Sequence, residues 1–281
     1  MNGAVDLAWL ATQFPGLSNL AQLGAGGQKL VLTAVHPTDG DVVLKLIHPA
    51  QPAVVAAREI QAVQAVNSPR VPRIFETGTL VTSIGTLVWL REQRVVGPTV
   101  RERLASGPFA PPVLLRLGLH TLEILAAAEA QRIVHRDVKP ENIISTNSDD
   151  FWLIDFGIAR HLDLPALTDP AQRWGKMTAG YAPPEQFRNV QAEIDGRSDL
   201  FALGVTLHEC ATGTNPFRDG TGDPLEMLRR VETRPLPRLN ITMSGATDFA
   251  DFVSSLVQRR RDHRPRTATE ALLWIREICA K

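Results

Sequence analysis

An acid, a cation and an amide stand at short intervals in His135-Arg136-Asp137-Val138-Lys139-Pro140-Glu141-Asn142, with Pro140 stiffening the turn between them. Such a loop can hold the Asp137 carboxylate against a hydroxyl and the Asn142 amide against a metal ion, while Lys139 faces transferred charge. Further on, Asp155-Phe156-Gly157 sets a second carboxylate on a short turn after the apolar run Phe151-Trp152-Leu153-Ile154. Lone aspartates are common in turns; it is the grouping of these residue types that points to chemistry.

The elements that must position these residues begin with residues 4–14, where Leu7, Leu10 and Phe14 share one face of a short helix stopped by Pro15-Gly16. Leu23-Gly24-Ala25-Gly26-Gly27 follows, with strand signals on both sides. Glycines there allow backbone amides to approach phosphate oxygens, and the flanking strands make the cluster a hairpin turn rather than the opening of a helix, which argues against a dinucleotide fold. A second hairpin turn at Thr38-Asp39-Gly40 leads into Asp41-Val42-Val43-Leu44-Lys45-Leu46-Ile47, where strand alternation puts Lys45 on the face of Val43 and Ile47. A buried lysine there needs a charged partner; an edge-strand lysine guarding against aggregation is the competing explanation.

A helix is expected from Pro52 to about Val66, with Glu59 beside its apolar stripe and the sole acid between Asp41 and Glu76. Two strands around Gly85 lead to a connecting segment at 91–97, whose register the sequence leaves open between Glu92 and Gln93. Leu115, Leu119, Leu122 and Leu125 then recur at helical spacing. A buried helix opens in Asp195–Gly204, with Ser198 as its N-cap and Gly213 as its stop. The tail reads as a helix at Asp248–Val257 and a last helix opened by the capping box Thr267–Glu270 and packed through Leu272, Leu273 and Ile275.

With 30 basic and 30 acidic residues in 281, the chain has no net charge to recommend nucleic acid or an anionic membrane as a partner. The arginine run at 259–264 lacks interleaved aromatics and reads as a solvated face or internal ion pairs. The N-terminus has no signal-peptide pattern, and no apolar run approaches the ~20 residues of a membrane span. Two distant cysteines, Cys210 and Cys279, fit no disulfide or metal framework. A soluble cytoplasmic protein is expected.

From residue 20 to 280 the chain resembles the catalytic domain of eukaryotic-type (Hanks-type) serine/threonine protein kinases, and its alanine- and arginine-rich usage suggests a bacterial source. The resemblance rests on all eight positions of His135–Asn142, on Asp155-Phe156-Gly157, and on Thr178-Ala179-Gly180-Tyr181-Ala182-Pro183-Pro184-Glu185, which is similar to the end of a kinase activation segment. It implies a two-lobed α+β fold: a helical leader at 1–19, an N-lobe at about 20–92 with a small antiparallel sheet and one main helix, a hinge at about 91–97, and a mainly α-helical C-lobe at about 98–281.

The resemblance also implies roles. ATP would lie in the cleft against Leu23, Gly24, Gly26, Gly27, Val31, Val43 and Ile144, with Lys45 on its α/β-phosphates and Glu59 as the lysine's ion-pair partner. Asp137 would orient and deprotonate the attacking hydroxyl, Lys139 would neutralise the γ-phosphate, and Asn142 with Asp155 would hold Mg2+, or Mn2+. Thr178 would bridge Asp137 and Lys139. Arg136 would capture a phosphate on the loop, for which Thr168 is the candidate. Asp199 would anchor the loop from below, and Glu185 would pair with Arg264. The partners implied are protein substrates carrying serine or threonine, including a second copy of the chain in trans.

Three positions depart from the family pattern. Lys29 replaces the third glycine of the lid, Val43 replaces an alanine, and Pro183-Pro184-Glu185 replaces Ala-Pro-Glu. Lys29 and Val43 are the support for a catalytically weak pseudokinase. A small-molecule kinase of the aminoglycoside or choline type is the other alternative, although it would lack Lys139 and the Thr178–Glu185 segment.

Overall fold

The computed structural model describes residues 6–26, 29–47, 60, 63–83, 85–146, 149–156, 160–161 and 177–281. The chain forms two compact units, one from residues 1–64 and 72–95, the other from 65–71 and 96–281.

The first unit is built on an antiparallel sheet of β1 (Ser18–Gly26), β2 (Lys29–His36), β3 (Gly40–Ile47), β4 (Ile74–Thr82) and β5 (Gly85–Gln93), ordered β1-β2-β3-β5-β4. β1 and β2 pair as far as Gly26 and Lys29, on either side of the glycine cluster. Gly40, at φ 69°, closes the β2–β3 hairpin. β3 lies in the middle of the sheet, which excludes the edge-strand explanation of Lys45.

Period-two alternation gives the sheet two different faces. One carries Leu30, Leu32, Leu44, Leu46 and Leu87, and Leu10 of α1 (Leu7–Gln13) closes over it with Phe14 edge-on to Trp89. α1 starts where expected because Asp6 caps the N–H groups of Ala8 and Trp9. The register puts Val31, Val43, Lys45, Leu90 and Glu92 on the other face. Most of the helix expected from Pro52, Glu59 included, lies outside the described residues.

The second unit is helical around α2 (Val100–Leu104), α3 (Pro111–Ala130), α4 (Pro184–Phe187), α5 (Gly196–Thr212), α6 (Pro224–Thr233), α7 (Ala246–Leu256) and α8 (Ala268–Cys279). Short strands β6 (Ile133–Val134) and β9 (Arg160–His161) pair, as do β7 (Ile143–Ser145) and β8 (Phe151–Leu153). α5 is buried on every side from Ser198 to Cys210, the signature of a helix inside a core. Gly204 permits this, since a Cβ there would stand 2.5 Å from Val257 and 2.8 Å from Leu256.

Three local expectations change. Asp195, not Ser198, caps α5 by accepting from Arg197 N, because Ser198 already lies inside the helix and donates to Glu185. The capping box of α8 is half formed: Thr267 accepts from Glu270 N, but Glu270 accepts from Arg266 N one residue upstream. Leu273 is exposed while Leu272 and Ile275 are buried, as a one-sided contact at helical spacing requires. Gly213 ends α5 in the left-handed conformation, as expected. No helix among the described residues is long and apolar enough to cross a membrane.

Leu10 tests how far α1 belongs to the first unit, because it is 1% exposed. Leu10→Ala is expected to lower stability in urea unfolding by about 2–3 kcal/mol, near the low end for a buried leucine. Trp9→Ala, on the exposed side of the same helix, should stay within about 0.5 kcal/mol of wild type.

Candidate active site

The backbone decides where the chemistry sits. β7 and β8 form a hairpin whose Ile143–Leu153 pair sets Asn142 beside Ile154, and Ile154 N donates to the Asn142 carbonyl at 2.8 Å. Asp155, the next residue, has φ 68°, so the chain turns sharply at the point where its carboxylate is presented. A 3-10 turn at Pro140–Asn142 directly precedes β7. The two residues expected to hold a metal therefore leave adjacent strands of one hairpin.

Asp137 stands at the centre of a tight polar group. Thr178 Oγ1 donates to Asp137 Oδ1 at 2.6 Å, and Lys139 Nζ reaches both Asp137 Oδ2 and Thr178 Oγ1 at 2.6 Å. Asn142 Nδ2 donates to the Asp137 carbonyl at 2.8 Å and to Oδ2 at 2.9 Å. With its nitrogen committed there, Asn142 turns its amide oxygen the other way, which is the atom a cation would take. That oxygen and the Asp155 carboxylate make an oxygen-only donor pair, fitting a hard divalent ion whose other ligands are phosphates and water.

The loop is held from beneath. Asp199, on buried α5, accepts from His135 N and Arg136 N, both at 2.7 Å. Arg136 has φ 69°, a left-handed conformation that a non-glycine residue keeps only when its surroundings impose it. Gln186 Nε2 donates to the Arg136 carbonyl at 2.6 Å, completing the clamp. Burial pushes the Asp199 carboxyl up to about 7, against the pull of the two backbone N–H groups and Arg136.

His135 is fully buried, and that burial holds its imidazole below the usual range. Its Nδ1 accepts from Asp137 N at 3.2 Å, which leaves Nε2 to donate to the Ile154 carbonyl at 3.1 Å and fixes the neutral tautomer. Phe156 stacks edge-on against it, ring centres 4.5 Å apart.

A second brace lies under the Thr178–Glu185 segment. Arg264, on the loop before α8, forks onto both Glu185 oxygens at 2.6 and 3.2 Å and donates to the carbonyls of Arg197, Gln258 and Arg259. Tyr181 donates to Glu209, and Arg101 of α2 donates to Tyr181, Glu209 and Glu141. Burial and Glu209 push the Tyr181 phenol up. Sequence reasoning missed Gln186, Arg101 and Glu209, which lie outside the motifs and whose partners are distant in the chain.

In the first unit, Lys45 Nζ lies 2.5 Å from Glu92 Oε1, with both side chains buried. The sequence pointed to Glu59; Glu92 was not expected as a partner. Val31 and Val43 share the face of Lys45, whereas Leu23, on β1, is exposed. Gly24 and Gly26 lie in β1, and Ile144 in β7, half-buried. Glu59, Gly27 and Thr168 lie outside the described residues.

A family model described as the protein kinase domain matches residues 17–274. The chain is 32% identical over 217 residues to serine/threonine-protein kinase PknB of Mycobacterium leprae, covering 76% of this chain and 34% of that protein. It is 33% identical over 235 residues to serine/threonine-protein kinase PknD of Mycobacterium tuberculosis, covering 81% and 34%. It is 33% identical over 260 residues to the probable serine/threonine-protein kinase PkwA of Thermomonospora curvata, covering 89% and 32%. The chain thus spans about a third of the length of these relatives.

Asp199→Ala would leave two buried N–H groups without an acceptor, each worth about 1–3 kcal/mol. Urea unfolding should show a loss of about 2–6 kcal/mol. Asp199→Asn, which keeps one acceptor oxygen, should lose roughly half as much. A loss for the alanine variant below about 1 kcal/mol would mean that the loop holds its shape without the carboxylate.

Proposed function

Because the chain belongs to the protein kinase domain family, we propose that it is a serine/threonine protein kinase that transfers the γ-phosphate of ATP to a serine or threonine hydroxyl of a protein substrate. The observation that carries this reading is the group formed by Asp137, Lys139 and Thr178, closed by three contacts of 2.6 Å.

Phosphoryl transfer asks for positioning and charge neutralisation more than for covalent chemistry. Asp137 accepts the proton of the attacking hydroxyl, and its carboxylate is already oriented by Asn142 and Lys139. Lys139 faces the γ-phosphate. Lys45 meets the α/β-phosphates, with Val31, Val43 and the Gly24–Gly27 cluster around the nucleotide. Asn142 and Asp155 offer oxygens to a divalent cation, Mg2+ or Mn2+, which when bound supplies the charge that offsets the phosphates. Arg136 would take a phosphate placed at Thr168, and a second copy of the chain would be one acceptor, by autophosphorylation in trans. A cytoplasmic location suits the supply of ATP and two cysteines that both remain free thiols.

Incubation with radiolabelled ATP, Mg2+ and a generic basic protein tests the reading. Label should pass to the chain itself and to the added protein. Asp137→Ala should lower transfer by about 10²–10⁴-fold while the fold persists. Thr178→Val, which removes the bridging hydroxyl, should lower it to a lesser degree. Unchanged transfer in Asp137→Ala would overturn the assignment, and rapid labelling of small alcohols or sugars without a protein acceptor would move the substrate to small molecules.

A further inference from the structure

Lys45 and Glu92 are the charged pair inside the first unit's sheet. The register sets Lys45 opposite Leu90 and Glu92 opposite Val43, so the two are diagonal neighbours on one face of adjacent antiparallel strands. That is a separation long side chains span. Their termini meet at 2.5 Å, and the side chains are 7% and 10% exposed. The neighbouring Arg91 points to the opposite face, where it pairs with Asp39 and Glu76. Among the described residues, Lys45 is the cation within ion-pair range of Glu92.

We propose that Glu92 is a positioning residue that holds the Lys45 ammonium on the sheet and competes with nucleotide phosphates for it. The proposal rests on the reading of Lys45 as a phosphate-binding lysine. An ammonium out of water needs a counter-charge. On β5, within the sheet itself, it finds one in Glu92. Phosphate oxygens that approach Lys45 then meet a carboxylate a few ångströms beyond it. In a weakly screened interior that repulsion is worth an order of magnitude or more in affinity. Glu92 therefore keeps nucleotide affinity low, and the strength of the pair sets it.

Glu92→Gln keeps the shape and removes the charge. In nucleotide-free protein, the Kd for ATP with Mg2+, measured by calorimetry, should fall about tenfold. The KM for ATP should follow while kcat stays within about twofold. Loss of this carboxylate weakens the hold on the ammonium proton, so acylation of Lys45 by an amine-directed reagent, read by peptide mass spectrometry, should speed up several-fold. Lys45→Met leaves the Glu92 carboxylate buried alone and should destabilise the protein. Adding Glu92→Gln to that variant should recover most of the loss in urea unfolding.

Weaker or unchanged ATP binding in Glu92→Gln, with unchanged Lys45 acylation, would overturn the competition. The absence of any recovery in the double variant would overturn the pairing. If wild-type protein fails to bind ATP while the double variant still recovers stability, the kinase reading fails and the ion pair stands.

Discussion

Two backbone N–H groups, those of His135 and Arg136, point at one buried carboxylate, that of Asp199, at 2.7 Å each. The geometry of the loop at 135–142 depends on this contact. It forces Arg136 to φ 69°, and from that turn the chain presents Asp137, Lys139 and Asn142 in one direction. The carboxylate can do this because it rides on α5, a helix enclosed on all sides. A rigid helix thus transfers its position to an irregular loop through two hydrogen bonds. The cost of burying the charge is visible in its upward shift to about 7, and the donated N–H groups offset part of it.

Other charges in the unit follow the same logic with different partners. Arg264 directs its donors to Glu185 and three carbonyls while its guanidinium lies over the Phe201 ring. A guanidinium has the planar fork for that task and a lysine does not. Arg101 ties α2 to Tyr181, Glu141 and Glu209, so the segment after Thr178, the loop at 135–142 and α5 meet at one cation. Breaking any of these pairs leaves a charge stranded, which is why such networks hold a geometry even when their net contribution to stability is small.

How much of this was legible in the sequence depended on the range of the interaction. The loop at 135–142, the turn at Asp155 and the αL stop at Gly213 are each encoded in a short local stretch, and each stands where the spacing put it. Asp199 and Arg264 were reached by resemblance, and geometry supplies the physical reason for them. Glu92, Gln186 and Arg101 were invisible because each acts on a residue far away in the chain. Glu92 in particular needed the β3–β5 register, which no local pattern fixes: one residue of slip would have put it on the leucine face and moved Arg91 to the face of Lys45. Leu273 failed for a smaller reason, since adjacent leucines in a helix cannot both face the same core.

Thr178 gives the geometry its chemical content. It is itself an alcohol of the kind a serine/threonine kinase phosphorylates, and it lies 2.6 Å from Asp137 Oδ1 with the Lys139 ammonium on its oxygen. The carboxylate accepts a hydrogen bond from the hydroxyl while a cation donates to the same oxygen, the arrangement that the proposed reaction would ask of an attacking hydroxyl. Asp137 Oδ2 is meanwhile occupied by Lys139 and Asn142, so the carboxylate cannot rotate away from Thr178. The group is oriented by its own contacts, and on the proposed reading positioning of that kind would supply much of what phosphoryl transfer asks of a protein.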